Sequence, residues 1–297
     1  MKWNNVFCLT CIFLCATHSI EKLSAAEDVF EKANTLFADG FYFEAAIEYE
    51  RIIFLSESPE VRVQSNLKKA ESLKQLGSFG KARSDLQRSL NYRGNDSLRL
   101  EVLYQFAFCS FMAGFSFEAY ATLLHLRNVF KEPHEHRIYL LESLVLTDLM
   151  HWEDLRNHLQ NWMVNYAENE SWTQKTLQAY DDILDKGLRA LEIDPERAGI
   201  LSTFLPGSGQ FYAGEAGWGI LNAFSQLASL AAFGVMVYNG YYIASFFAGL
   251  GPFQSFYFGG IRQAGDLATK NKNSRLNELQ TALAQFFFEV EAGLLDY

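Results

Sequence analysis

Small and apolar residues recur along the first half of the chain at a spacing of 37 residues. Ala33, Leu36, Gly40, Ala45, Tyr49 and Ile52 return as Ala70, Leu73, Gly77, Ala82, Leu86 and Ser89. They return again as Ala107, Ser110, Gly114, Ala119, Leu123 and Leu126. A degraded fourth copy falls about 36 residues later, at Ser143, Leu146, Met150, Leu155, Leu159 and Trp162. A fixed period of this kind marks a stacked repeat architecture. Inside each copy the spacing predicts two helices, each with one buried stripe. The first alanine lies on helix A where its partner crosses closely. Glycine ends helix A, because it alone takes left-handed backbone geometry cheaply. The second alanine opens helix B. Phe41, Phe43, Phe115 and Phe117 are expected to cover the turns, and Pro59 and Pro133 to sit in the loops between pairs. About four such pairs are expected over residues 27–167.

In the second half the polar pattern disappears. Between Ala198 and Ile261 the only charged residue is Glu215. Residues 217–238 and 241–261 form two apolar stretches, each about the 20 residues that a bilayer core requires. Asn239-Gly240 is the turn between them, with Tyr238, Tyr241 and Tyr242 at that end and Trp218 and Tyr212 at the other, as interfacial aromatics. Asn222, Ser225, Gln226 and Ser229 fall at i, i+3, i+4, i+7 and are expected to face another helix and bond across to it. A polar ligand path along this stripe and a buried core hairpin in a soluble domain are the alternatives. A soluble pair would rarely run so long without a charge on its outer face. Residues 168–196 are expected to form a capping helix and a linker broken at Asp194-Pro195. Residues 273–297, with Leu276, Leu279, Leu283 and Phe286 to Phe288 at helical spacing, are expected to form a separate amphipathic tail helix. That tail would lie on the membrane or pack on the repeats.

The start of the chain reads as a signal peptide over residues 1–26: Lys2, an apolar run from Val6 to Ala16, and small residues Ser24-Ala25-Ala26 before Glu27. A cut near Leu14-Cys15-Ala16 and an uncleaved anchor are the alternatives; lipidation fits poorly, since Leu14 and Thr10 precede Cys15 and Cys11. Orientation receives two opposed signals. Export places the repeats outside the cytoplasm, whereas Arg262, Lys270, Lys272 and Arg275 after the second stretch favour a cytoplasmic tail. Export is the stronger, because a signal fixes the start and two spans return the chain to the same side.

Chemistry adds little. A net charge of −10 over 297 residues argues against nucleic acid, whose phosphates need a basic face. Cys109, the one cysteine outside the first segment, lies in an apolar run and reads as a buried inert thiol. His134-Glu135-His136 lacks the helical spacing of a metal site and reads as solvated; His151 and His158 read as structural. No catalytic motif, cofactor or metal is expected.

The repeats resemble the tetratricopeptide repeat family, through Gly40-Phe41-Tyr42-Phe43-Glu44-Ala45 and Gly114-Phe115-Ser116-Phe117-Glu118-Ala119. The period is longer than that family's 34 and its early tryptophan is absent; an unrelated helical-hairpin solenoid is the main competitor. The segment ahead of the apolar stretches has glycines like a phosphate loop, but no strand precedes it and no Lys-Ser/Thr follows. Pro206, Gly207, Gly209, Gln210, Tyr212 and Gly214, with Phe256-Tyr257-Phe258-Gly259-Gly260 and Ala264, resemble a small two-span membrane domain family over residues 197–272. The resemblance is closer to a bacterial group that places this domain after TPR-like repeats. No biochemical activity carries over from it. The expected fold is all-α: a TPR-like α-solenoid followed by a transmembrane helical hairpin. The expected role is a non-enzymatic scaffold or adaptor in the inner membrane of a bacterium, repeats and tail periplasmic. Its concave repeat face would bind a protein partner, and its hairpin would sit in the bilayer. A subunit of a transport or secretion assembly and an enzyme of unrecognised type are the competing roles.

Overall fold

The computed structural model describes residues 29–130, 136–166 and 170–295. Among the described residues the chain is all-α, with no strand. It divides into two compact units, one ending at His158 and the other starting at Leu159. The division falls inside one helix. The signal segment 1–26 and the Pro133 loop lie outside the described residues.

The first unit holds helices α1 (29–38), α2 (Tyr42–Leu55), α3 (Pro59–Gln75), α4 (Phe79–Leu86, extended by a 3₁₀ turn Gln87–Ser89), α5 (Asp96–Met112), α6 (Ser116–Phe130) and α7 (His136–Asp148). Helix α8 (Trp152–Tyr166) carries the division. Local chemistry sets the starts. Ser58 caps α3 ahead of Pro59, and the Asn95 side chain accepts a hydrogen bond from the Leu98 amide at the head of α5. The repeat positions are the core: Ala33, Ala45, Tyr49 and Ile52 form one buried cluster. Ala70, Ala82 and Leu86 belong to a second, and Ala107, Ala119, Leu123 and Leu126 to a third. Ser143, Leu146, Leu155, Leu159 and Trp162 of the degraded copy are buried as well.

Ion pairs and a charge-assisted hydrogen bond tie neighbouring helices on the outside of this core. Arg83 of α4 grips the Glu118 carboxylate of α6, Lys74 donates to Gln105 at 2.7 Å, and Arg137 pairs with Glu101 at 2.7 Å. Each is partly exposed and contributes modestly; together they favour one register of stacking.

The second unit continues from Leu159 with α9 (Glu170–Ala190), α10 (Pro195–Phe204), α11 (Ser208–Tyr212), α12 (Ala216–Tyr238), α13 (Tyr242–Ser245) and α14 (Gly251–Leu295). A π-helical turn, Phe246–Leu250, joins α13 to α14. Pro252 explains it. Proline has no N–H to give the Ala248 carbonyl and its ring crowds that oxygen, so the helix widens just before it.

Two expectations are corrected here. The second apolar stretch is not a regular helix over 241–261, and no break separates it from the tail: α14 runs unbroken to Leu295. Helix α9 belongs to the second unit, where its buried Tyr180 meets Phe286 and Phe287 of α14 at ring distances of 6.2 and 6.4 Å. Leu279 of α14 lies hard against Gly187 of α9, and a Cβ at position 187 would require the Leu279 side chain to shift.

Candidate functional site

Two constructions could carry function: the turns of the repeats and a polar seam inside the second unit. The turns share one geometry. Gly40, Gly77 and Gly114 have φ of +83°, +67° and +82°. At each, two amides fold back onto the preceding helix. Phe41 N–H bonds Leu36 O and Gly40 N–H bonds Phe37 O, and the same pair recurs at Gly77 and Gly114. This is a Schellman closure, which satisfies the helix's last carbonyls. Met150 of the degraded copy adopts it too, at φ +58°, with His151 N–H on Leu146 O and Met150 N–H on Thr147 O. The phenylalanines beside the turns do not cover them: Phe41, Phe43, Phe115 and Phe117 are exposed, Phe117 by 75%. Phe115 has a close cation, Arg83, 4.2 Å from its ring centre.

In the second unit the entry motif is the hub. Helix α10 runs antiparallel to α14: Gly265 lies by Pro195, Gly199 by Ile261, and Tyr257 donates to Thr203 O at 3.1 Å. The chain then turns at Pro206-Gly207, Gly207 having φ +87°. A Cβ at Gly207 would stand 2.2 Å from Gly219 O, and one at Gly209 would stand 1.9 Å from Ala198 O. Gly207 and Gly209 allow contact between backbones. Gln210 is fully buried, donates to Gly260 O at 2.9 Å and accepts from Ser202 Oγ, which in turn accepts the Gly209 amide at 3.1 Å. Tyr212 Oη accepts from the Asp194 amide and donates to Glu192 O, fastening the motif to the start of α10. Gly214 closes α11 with the same two-amide turn as the repeats, and Gly240 closes α12 with it again.

Three of the four stripe residues, Asn222, Gln226 and Ser229, are buried; Ser225 is half-buried and its carbonyl accepts from Ser229 Oγ. Asn222 Nδ2 donates to Phe256 O at 3.2 Å, and Gln226 Nε2 donates to Asn222 Oδ1 at 2.8 Å. Gly260 makes room for Asn222, and Gly249 for Phe233. The seam therefore runs Ser202, Gln210, Gly260 O, Phe256 O, Asn222, Gln226, and joins α10, α11, α12 and α14. Sequence spacing revealed the α12 part. The roles of Ser202 and Gly260 depended on a fold-back that no local pattern announces.

Burial pushes the Cys109 thiol up to about 11, so it stays protonated. Burial holds His158 below its ordinary range; its Nε2 lies 3.0 Å from Tyr139 O and its ring stacks on Tyr139. Arg83 holds the Glu118 carboxyl low. His134 and Glu135 lie outside the described residues.

Compared with known proteins, the chain matches no family model, no curated protein and no solved structure.

Proposed function

We propose that the protein is a membrane-anchored, non-enzymatic scaffold: TPR-like helical repeats that hold a protein partner, and a second unit that sits in a bilayer through a two-arm helical hairpin. The observation that carries the membrane part is the inverted surface of α12. Its 23 residues extend about 34 Å, enough for a hydrocarbon core near 30 Å. Only 17% of its most apolar stretch is buried. Outward stand Leu221, Phe224, Leu227 and Val235; inward stand Asn222, Gln226 and Ser229. A core helix of a soluble unit has the opposite arrangement. The second arm, from Tyr242 through α14, adds exposed Phe247 and Phe258, and α10 adds Phe204 at 84% exposure. So many large exposed apolar side chains are costly in water and favourable in lipid.

The scaffold part is supported by the 37-residue register of buried positions, by the shared turn and by charge pairs linking successive helical pairs. Stacked pairs of this type present extended surfaces for protein partners. Within this reading the protein lies in the inner membrane of a bacterium, with repeats and tail on the outer side. Alkaline carbonate extraction of membranes from expressing cells tests the anchoring: the full chain stays in the pellet. A reporter fused after Tyr297 and active only in the cytoplasm would reverse the orientation. Release of the full chain into the carbonate supernatant would remove the anchor.

A further inference from the structure

The groove between α2 and α4 in the repeat unit has a built interior and an unmatched charge. Its volume is about 490 Å³. Ala46 and Leu73 are buried at its base, while Phe43 and Ile47 stand up from α2 as one wall, 60% and 48% exposed. The hollow arises from the repeat register. One period after Phe43 comes Gly80, and one period after Ile47 comes Ser84. A Cβ at Gly80 would meet nothing within 4 Å. Helix α4 thus lacks the bulk that α2 presents at the same positions, and two large apolar side chains are left facing a gap.

Charge decides what the gap suits. Lys69 is held between Glu50 at 2.9 Å and Asp85 at 2.6 Å, and Arg88 grips both of those carboxylates from the other side. Arg51 is engaged by Glu48 at 2.8 Å. Lys81 is exposed at the lining with no ion pair among the described residues. The lining therefore carries three cations against two carboxylates, both already neutralised, in a chain whose net charge is −10. An approaching carboxylate finds Lys81; an approaching ammonium finds no free anion.

We propose that this groove docks an acidic segment of a partner protein that inserts a bulky apolar side chain, leucine or phenylalanine, beside Phe43 and Ile47 and sets a carboxylate against Lys81. The volume accommodates one or two large side chains, at the small end of ligand sites. The proposal rests on reading the repeats as the partner-binding part and adds the chemistry of the partner.

The test uses the full chain in detergent micelles as bait for a displayed library of peptides about ten residues long, with leucine or phenylalanine fixed at the centre and flanks varied. The expected result is enrichment of Asp and Glu flanks. Ser84→Trp, on an exposed helical position, fills the groove and abolishes the enrichment. Lys81→Glu moves the preference to Lys and Arg flanks and weakens the acidic peptides by about tenfold or more. Unchanged circular dichroism for both variants keeps the comparison interpretable. No enrichment over the Ser84→Trp bait, or enrichment of basic flanks by the natural chain, overturns the proposal. Self-association that Ser84→Trp abolishes overturns it in favour of a second copy of the chain. Carbonate extraction of the same cells keeps the two readings apart. A membrane-bound chain with no peptide preference loses only the groove. A chain released from membranes with the preference intact loses only the anchor.

Discussion

Both units close helices with left-handed glycines, but the second unit also uses glycine to bring helices into contact, and the two units turn opposite faces outward. In the repeat unit Gly40, Gly77 and Gly114 have left-handed backbones and open space where a Cβ would be. In the second unit Gly209, Gly219, Gly249 and Gly260 have ordinary backbones and no room for a Cβ at all. One set solves a dihedral problem and the other a distance problem. The surfaces differ in the same way. Repeat core positions such as Leu123 and Ile52 are apolar and buried, with ion pairs outside; the second unit buries Ser202, Gln210, Asn222 and Gln226 and exposes Phe204, Phe224 and Leu227. On the proposed membrane reading there is no hydrophobic drive between helices, and close backbone contact and hydrogen bonds across helices would hold them.

The sharpest way to break this comparison is to add one methyl to each kind of glycine. Gly209→Ala puts carbon 1.9 Å from Ala198 O and 2.4 Å from Ser202 Oγ. Backbone must shift, so the expected cost is about 3 kcal/mol or more, above the usual overpacking range. Gly77→Ala meets nothing and carries only left-handed strain, about 1 to 2 kcal/mol. Thermal unfolding of both variants in detergent reads the difference. Equal losses would mean that the entry motif is not a close-packed hub.

Next in size is a charge on each exposed apolar surface. Leu227 lies at the middle of α12, 65% exposed. Leu227→Arg is expected to cost about 2.5 to 3.5 kcal/mol of insertion and to shift the chain toward the carbonate supernatant. Phe54→Arg in the repeat unit, at a site 88% exposed, should change stability by no more than about 0.5 kcal/mol. A Leu227→Arg chain that stays membrane-bound and equally stable would leave α12 without a lipid face.

Much of this contrast was legible in the sequence, and what was not has physical causes. The 37-residue period located the buried positions because a stacked helical pair repeats its own contacts. The absence of charge from Ala198 to Ile261 pointed to the inverted surface. Asn222, Gln226 and Ser229 were found by spacing because a single helix sets their direction. Ser202 was missed because its partners Gln210 and Gly209 reach it only after the chain reverses at Gly207. The unbroken α14 was missed because the change from apolar to charged composition near Arg262 looked like a boundary, although nothing there stops a helix. The exposure of Phe41 and Phe117 was misjudged because large apolar residues near a turn were assumed to fold onto it.

A smaller effect separates the units by pH. Burial lowers the affinity of His158 for a proton, while Glu142 with Oε2 at 3.7 Å opposes this and Arg127 reinforces it. The folded pKa is therefore below the unfolded one, near 6.5. Above that value neither state binds the proton and stability is full. As pH falls through it toward the folded pKa, the unfolded chain takes up a proton that the folded chain refuses, and stability declines. The urea midpoint should fall between pH 7.5 and 5.5, and His158→Gln should flatten that part of the slope. A slope unchanged by the substitution would assign the acid sensitivity to other groups.

The smallest expected effect bears on whether the fourth copy is a true repeat. Met150 occupies the turn position that glycine holds in the other three, and it accepts the same left-handed backbone and the same two amide bonds. A non-glycine residue there carries strain of about 1 to 2 kcal/mol. Met150 is also 48% exposed, so little packing is lost with its side chain. Met150→Gly relieves the strain but gives the unfolded chain more freedom, which offsets part of the gain. The net should be stabilising by about 1 kcal/mol or less, a rise of a few degrees in Tm. The reverse change, Gly114→Met, should lower Tm by a comparable amount. Opposite signs at the two sites follow only if the four turns are one structure repeated. A fall in Tm for both would mean that Met150 contributes a contact of its own, and that the fourth copy has departed from the pattern in structure as well as in sequence.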